Sequence, residues 1–543
     1  MTRWICSGFE APDEFTLQDF LNHPPPVIAV DIETISLKDQ TLIGVGVAVD
    51  ASRAFYFPCH PTHGGDDSIL FQLFFEVFSR PDITKVLHNI GYDIRGLEPR
   101  GFDYSRIVDT RTLCWHLGIP ASLKEAADGV LQWKIREIKD ILPPRRNMLD
   151  LPVELVASKC LDDCRATWAL WDQGRRYLPN HQYFADEMET LSILIRMGLR
   201  GVAVDQTKRA ALEAKYRAEA DYYRGLCDAE GFNPGSPQQV GYILMSRGTM
   251  LPMSYGKIIT DEEALESVDD PLAAVVLNYR KAAKVLGTYL VPWSLGPRAH
   301  TAYHMSTGTG RTASLDFNLQ NVPPDLRQCI IPDDNPAPVF TEWDYSQQEY
   351  RCLAYLSGDP LLNQWYAEGR DVHQMTADVM GGIPRRVAKN TGYAMTYGGD
   401  DATVAATAKV KDPRVAASLR RTWLDLFPVA GRWIEAFARQ GLDDGYVTTL
   451  RGRRLYLPDV AEVGADEVKR KAVNYMIQGS CAEITKASIR AQAHLDLAIT
   501  VHDSNLLNDY IMEEELRGLG LEDLGPFKVP IEVKHSRRWG PEV

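Results

Sequence analysis

The chain has 543 residues, 45% hydrophobic and 24% charged, with a formal net charge of −14. That is the composition of a globular protein that buries its core without disulfide or metal staples, in three or four units at roughly 100–200 residues each. The start lacks the charged and apolar regions of a signal peptide, and no stretch approaches the ~18 uninterrupted apolar residues of a membrane span, so no membrane association is expected.

In chain order, Pro24-Pro25-Pro26 stops whatever precedes it. V-I-A-V-D-I-E-T then predicts a buried strand ending in carboxylates, and L-I-G-V-G-V-A-V and A-F-Y-F predict two more. S-L-K-E-A-A-D-G-V-L and the stretch around Val156–Trp171 predict helices, which closes an α/β unit near residue 185. Residues 186–300 are mainly helical by pattern, with strong helix formers and few breakers in T-K-R-A-A-L-E-A-K-Y-R-A-E-A-D-Y-Y-R. Beyond 300, V-F-T-E-W-D-Y and L-A-I-T-V-H-D predict strands, with a helix over Gln348–Leu356 and a helical block over 360–440 between them. The expected layout is therefore α/β and α+β in several domains.

Nine cysteines (Cys6, Cys59, Cys114, Cys160, Cys164, Cys227, Cys329, Cys352 and Cys481) are scattered without a Cys-x-x-Cys, the pattern of reduced thiols in a cytosol. Cys160 and Cys164 share a helix face but have no His or Cys neighbours, so they read as buried apolar side chains, not zinc ligands. The acidic balance counts weakly against a nucleic-acid partner. Metal-holding carboxylates lower such a total, however, while the clusters Arg385-Arg386-Lys389, Arg451-Arg453-Arg454 and Lys469-Arg470-Lys471 either meet phosphate or form solvated patches.

Two sets of carboxylates stand out. Asp31 and Glu33 alternate on strand spacing and so point to one face. With Asp93 in H-N-I-G-Y-D and Asp163 in C-L-D-D-C-R-A-T they make four carboxylates, enough for two hard divalent cations about 4 Å apart, one to activate water and one to steady a leaving 3′ oxygen. In the second set Asp344 ends one strand and Asp503 another, so the two can meet on adjacent strands as a phosphoryl-transfer site. Between them Arg385, Lys389, Tyr393 and Tyr397 recur every four residues, a slanted stripe on a helix that advances about 40° per step. Two cations followed by two aromatics suit a nucleoside triphosphate. The bland alternative is a solvated charge pair beside a core aromatic pair.

The order D-x-E, N-x-x-x-D, D-x-x-x-T resembles the DEDD 3′-5′ exonuclease superfamily, an RNase H-like fold. D-Y-S-Q-Q-E-Y-R, R-x-x-x-K-x-x-x-Y-x-x-x-Y-G and V-H-D resemble motifs A, B and C of family A DNA polymerases. T-G-T-G-R-T-A-S-L-D-F-N-L-Q-N-V-P, G-Y-V-T-T-L-R-G-R-R-L-Y-L-P-D and N-Y-M-I-Q-G-S-C-A-E-I match further family blocks in order, so the resemblance runs from about residue 27 to Trp539-Gly540.

The resemblance implies an exonuclease domain over 1–185, mainly thumb over 186–300, palm over 301–357 and 471–543, and fingers over 358–470. It implies that Asp31, Glu33, Asp93 and Asp163 are the exonuclease metal ligands, that Thr34 and Leu37 touch the terminal nucleotide, and that Asn89 touches the strand. Asp344, Asp503 and the Tyr345 carbonyl would hold the polymerase metals. Arg385, Lys389 and His373 would bind the triphosphate, Tyr393 would stack by the incoming sugar and base, Tyr397 would shape the templating pocket, and Gln347 would belong to the nucleotide-binding set. Glu349 would be the gate against a ribose 2′-OH. Arg311, Asn318, Gln320, Asn474, Gln478 and His502 would contact primer–template DNA, several of them in the minor groove, where acceptors are common to every correct pair. Two Mg²⁺ per site, replaceable by Mn²⁺, would serve as cofactors. The partners would be primer–template DNA and deoxynucleoside triphosphates, and the chain a monomer.

The chain departs from the family's pattern at four positions. Lys159 stands four residues before Asp163, where the family places a Tyr that orients water; Lys159 would contact phosphate or water there. Ser504 replaces a Glu after H-D, and Gln348 and Tyr350 replace aliphatics in motif A. The implied function is DNA synthesis with proofreading in phage replication. The alternative is a polymerase whose exonuclease domain is weak or inactive. A chain that begins just before its first exonuclease strand is expected to lack a 5′-nuclease domain and to resemble the phage-encoded branch.

Overall fold

The computed structural model describes residues 5–6, 17–36, 39–65, 67–144, 146–254, 256–315, 317–333 and 338–540. Leu37, expected near a terminal nucleotide, lies outside them.

The N-terminal sheet has six strands. Across it run Ile5–Cys6, Ala54–Pro58, Leu42–Ala48, Val27–Thr34, Thr84–Leu87 and Ile107–Asp109. The first four pair antiparallel and the last two join parallel to Val27–Thr34. All three predicted strands form. They are central and covered on both faces, which is why they read as near-continuous apolar runs.

The 22-residue helix Val153–Gly174 packs across Val27–Thr34 and Leu42–Ala48. Its close approach depends on Gly46, the cross-strand partner of Asp31: a Cβ there would lie 2.6 Å from Cys164 Sγ and 2.7 Å from Cys160 Sγ. Both cysteines are fully buried, as expected of small apolar side chains. The eight cysteines whose side chains are described are free thiols. The predicted helix over S-L-K-E-A-A-D-G-V-L forms as one α turn, Leu123–Ala126, and one wider π turn, Ala127–Leu131.

Helix His181–Arg200 runs from this unit into the rest of the chain. Residues 186–300 are mainly helical, as expected. Gln206–Ala229 and Pro271–Val285 pack together, and Cys227, Phe232, Leu244 and Leu265 form a small core at their far end. The block from Pro360 to Asp444 is helical throughout its main elements, around Trp423, Phe427 and Trp365.

A four-stranded antiparallel sheet holds the second set of carboxylates, in the order Leu497–Val501, Ser504–Leu507, Phe340–Tyr345, Ile531–Ser536. Trp343 is buried beneath it and donates its indole N–H to Gln492 Oε1 at 2.8 Å, at the end of the 27-residue helix Ala465–Ala491. The core under this sheet is continuous with that of the N-terminal sheet. No helix among the described residues is long and apolar enough to cross a membrane.

One residue of a predicted basic cluster proves to be interior, while its neighbour Arg454 is exposed. Arg453 is 3% exposed, 3.6 Å from Glu187, which also takes both oxygens to Lys486 Nζ at 2.7 and 2.8 Å. The sequence read Arg453 as a surface cation because the carboxylate that pairs with it lies on a distant helix.

Candidate active sites

The N-terminal centre is assembled by three elements. Strand Val27–Thr34 carries Asp31 and Glu33, helix Ile90–Leu97 carries Asp93 in its first turn, and helix Val153–Gly174 carries Lys159 and Asp163 one turn apart. Glu33, Asp93, Asp163 and Lys159 are all buried. Lys159 Nζ donates to Glu33 Oε1 at 2.9 Å and to Asp163 Oδ2 at 2.8 Å. Asp31 Oδ2 is buried with no hydrogen-bond partner.

Burial pushes the Asp31 carboxyl well above the ordinary value, with Asp163 and Glu33 adding to the rise and Lys159 opposing it. Burial and Asp31 do the same to Asp93. Burial alone would lower the Lys159 ammonium, but Glu33, Asp163 and Asp31 together raise it well above its usual value. The centre thus sets four carboxyl groups against a single ammonium. Hard oxygen donors that outnumber the cation among them and an unpartnered buried oxygen fit a divalent cation. Asp31, Glu33 and Cys160 place ligand atoms within 4.8 Å of one another, a grouping of Cys160 with carboxylates that its sequence neighbours do not show because they lie on another element. Thr34 Oγ1 is hydrogen-bonded to Tyr92 at 2.7 Å, and the Asn89 amide oxygen accepts from Arg111 at 2.8 Å.

The second centre lies at the edge of the four-stranded sheet. Asp344 is next to the end of its strand, and Asp503 sits in the tight turn between Leu497–Val501 and Ser504–Leu507, its carbonyl accepting from Tyr345 N at 3.1 Å. Asp344 is pushed up to about 7 by desolvation on the cleft floor and by Asp503 and Glu532; its own side chain remains exposed, so the acidic neighbours weigh heavily. Asp503 is raised by burial and by Glu349, with Arg311 and Lys389 opposing. Glu532 was missed from sequence. It lies directly across from Asp344 on the neighbouring strand and so shares its face. These oxygen donors also fit a divalent cation.

Helix Arg385–Thr396 bears Arg385, Lys389 and Tyr393, with Tyr397 the first residue past its end; the charges of Asp344 and Asp503 reach Tyr393, and Lys389 acts on Asp503. Lys389 Nζ lies 5.8 Å from the Tyr393 ring centre, and the His373 ring 5.9 Å from it. Arg385 and the His373 backbone N–H both donate to Asp371, at 2.7 and 3.0 Å. Burial and the cations Arg385 and Lys389 lower His373 to about 4. Glu349 binds both Arg311 and the Tyr397 hydroxyl. A cavity of about 620 Å³ lies beside them, lined by Tyr393, Tyr397, Asn474, Gln478, Gly308 and Thr309. Gln320 is committed internally, donating to Thr312 Oγ1 and the Thr500 carbonyl at 2.9 and 3.1 Å, and Asn318 accepts from Ser314 at 2.9 Å. Gln347 accepts from Tyr366 at 3.0 Å.

Three expected site residues hold strained backbone. Asn89, Gln347 and His502 adopt φ of 68°, 54° and 50°, left-handed values that cost a residue with a Cβ about 1–2 kcal/mol. Asn89 and Gln347 each precede a helix that carries site carboxylates.

Residues 203–516 match the DNA polymerase family A model, more than half of the chain. The chain belongs to the family A DNA polymerases. Residues 11–151 match a 3′-5′ exonuclease model, so Lys159 and Asp163 follow the matched span. The DNA polymerase I of Chloroflexus aurantiacus is 28% identical over 86% of this chain and 54% of its own length. That of Lactococcus lactis is 31% identical over 64% of this chain and 42% of its own. The chain spans about half the length of the curated relatives it matches. The polymerase domain of Pol1 from M. smegmatis, solved with DNA primer–template and dNTP, superposes with a TM-score of 0.77 over 97% of this chain and 98% of its own, at 22% identity, a likeness of fold. Family A polymerases and their exonucleases use divalent metal ions.

Proposed function

We propose that this family A member synthesises DNA on a template from deoxynucleoside triphosphates at the Asp344–Asp503 centre and removes 3′-terminal nucleotides at the Asp31–Asp163 centre. The observation that carries the reading is the cleft itself: two aspartates at neighbouring strand ends, whose charges reach a helix with its cations and aromatics on one stripe.

Arg385 and Lys389, with His373 neutral beside them, take the triphosphate. Tyr393 packs against the incoming sugar and base. Glu349, held by Arg311 and Tyr397, leaves no room for a ribose 2′-OH. Arg311, Asn474, Gln478 and His502 lie against the primer–template, and Asn318 and Gln320 support that surface. Asp344, Asp503 and the Tyr345 carbonyl would hold Mg²⁺ at one centre, and Asp31, Glu33, Asp93 and Asp163 at the other. A bound divalent cation supplies positive charge where phosphoryl transfer builds negative charge. The domains follow as exonuclease (1–185), mainly thumb (186–300), palm (301–357 and 471–543) and fingers (358–470), in a monomer working in a reducing compartment.

Extension of a labelled primer–template with four deoxynucleotides and Mg²⁺ tests this reading. Stepwise growth to the template end is expected; no growth by the folded chain would remove it.

A further inference from the structure

Lys159 fastens two walls of the N-terminal centre together. Its ammonium donates to Glu33 Oε1 on the sheet at 2.9 Å and to Asp163 Oδ2 on its own helix at 2.8 Å. It is 7% exposed, and the helix that carries it lies tight on the strand at Gly46, so the stem cannot swing clear without moving the helix. The opposite side differs: Asp31 Oδ2 is buried and unpartnered, and Asp93, in the first turn of helix Ile90–Leu97, is buried with its carboxyl raised by that burial and by Asp31.

The Lys159 ammonium occupies the place between Glu33 Oε1 and Asp163 Oδ2, and the lone pairs aimed at it are not available to a metal ion at that same position. An ammonium brings one positive charge where a metal brings two, and it repels a second divalent ion placed next to it. It also offers no open position to polarise water.

We propose that the Lys159 ammonium is a resident cation filling one of the two cation positions of the N-terminal centre, so that the centre binds a single divalent ion on its Asp31 and Asp93 side. The inference rests on reading this centre as a metal-dependent exonuclease. It gives Lys159 a role that the Tyr expected there cannot take, since a phenol carries no charge at neutral pH.

The test counts Mn²⁺ bound per chain, by the electron paramagnetic resonance of the free ion, in full-length Asp344→Ala/Asp503→Ala protein with saturating deoxythymidine monophosphate. One Mn²⁺ is expected when residue 159 is Lys, one in the charge-preserving Lys159→Arg, and two in Lys159→Met or Lys159→Tyr. Two Mn²⁺ in the Lys159 protein, or one in the folded uncharged variants, overturns the inference and leaves the exonuclease reading standing. No Mn²⁺ in any form, matching an Asp31→Ala control, overturns both.

Discussion

Glu532 faces Asp344 in register across adjacent antiparallel strands, and Ser504 faces Asp344 from the other side. The three form a row on one face of the sheet. Glu532 helps hold the Asp344 carboxyl up at about 7. Where related chains are expected to carry a Glu at 504, this one has its nearby acid on the strand at the opposite side of Asp344.

The expected consequence concerns metal affinity. Glu532→Gln should raise the Mg²⁺ concentration for half-maximal primer extension about tenfold, the low end for groups beside a metal site. Adding Ser504→Glu should recover most of the loss. An unchanged Mg²⁺ titration in Glu532→Gln would remove Glu532 from the account.

A second expectation concerns stability. Burial pushes the Glu483 carboxyl up to about 7, against hydrogen bonds from Thr449 and the Arg451 N–H that favour its charged form. Between its ordinary 4.5 and about 7, the folded chain holds a proton that the unfolded chain has released. The contribution of Glu483 therefore falls as pH rises through that window, and the full penalty stands above it. Glu483→Gln removes this titration, so its melting temperature relative to the parent should be higher at pH 8 than at pH 5. His116, lowered to about 4 chiefly by burial, titrates with the opposite sign but is present in both proteins and cancels. Parallel melting curves across that range would contradict the assignment.

Much of this molecule was legible in its sequence. The strand Val27–Thr34 announced itself because an apolar run ended in alternating carboxylates, and the stripe on Arg385–Thr396 because helix geometry turns a four-residue spacing into one face. What stayed hidden depends on partners distant in the chain. Glu532 acquires its place from strand register, Arg453 its burial from Glu187, and Lys159 its two carboxylates from the close packing that Gly46 permits. The motif A substitution Tyr350 is likewise explained only by packing. Its hydroxyl accepts from Trp423 Nε1 at 2.7 Å, its ring meets His373 at 5.2 Å, and a Cβ at Gly392 would come within 3.0 Å of it.

Tyr393 carries a prediction about substrate choice. It stands between Lys389 and His373, on the side proposed above for the nucleotide, and the family that the sequence resembles associates a Tyr there with acceptance of dideoxynucleotides. Chain termination by dideoxynucleotides should be within about tenfold of normal incorporation. Tyr393→Phe should favour the normal substrate by a further 10²-fold or so, about 2.7 kcal/mol. Competition between the two nucleotides in single-nucleotide extension reads the ratio, and strong discrimination by the parent protein would contradict the placement of Tyr393.

The most direct test of two separate centres on one chain is to follow extension and 3′ trimming of the same labelled primer in two variants. Asp344→Ala should lose synthesis by at least about 10³-fold while any trimming continues at the parental rate. Asp31→Ala should lose trimming and extend normally. Loss of both activities from either single substitution, in protein that remains folded, would contradict the two-centre account.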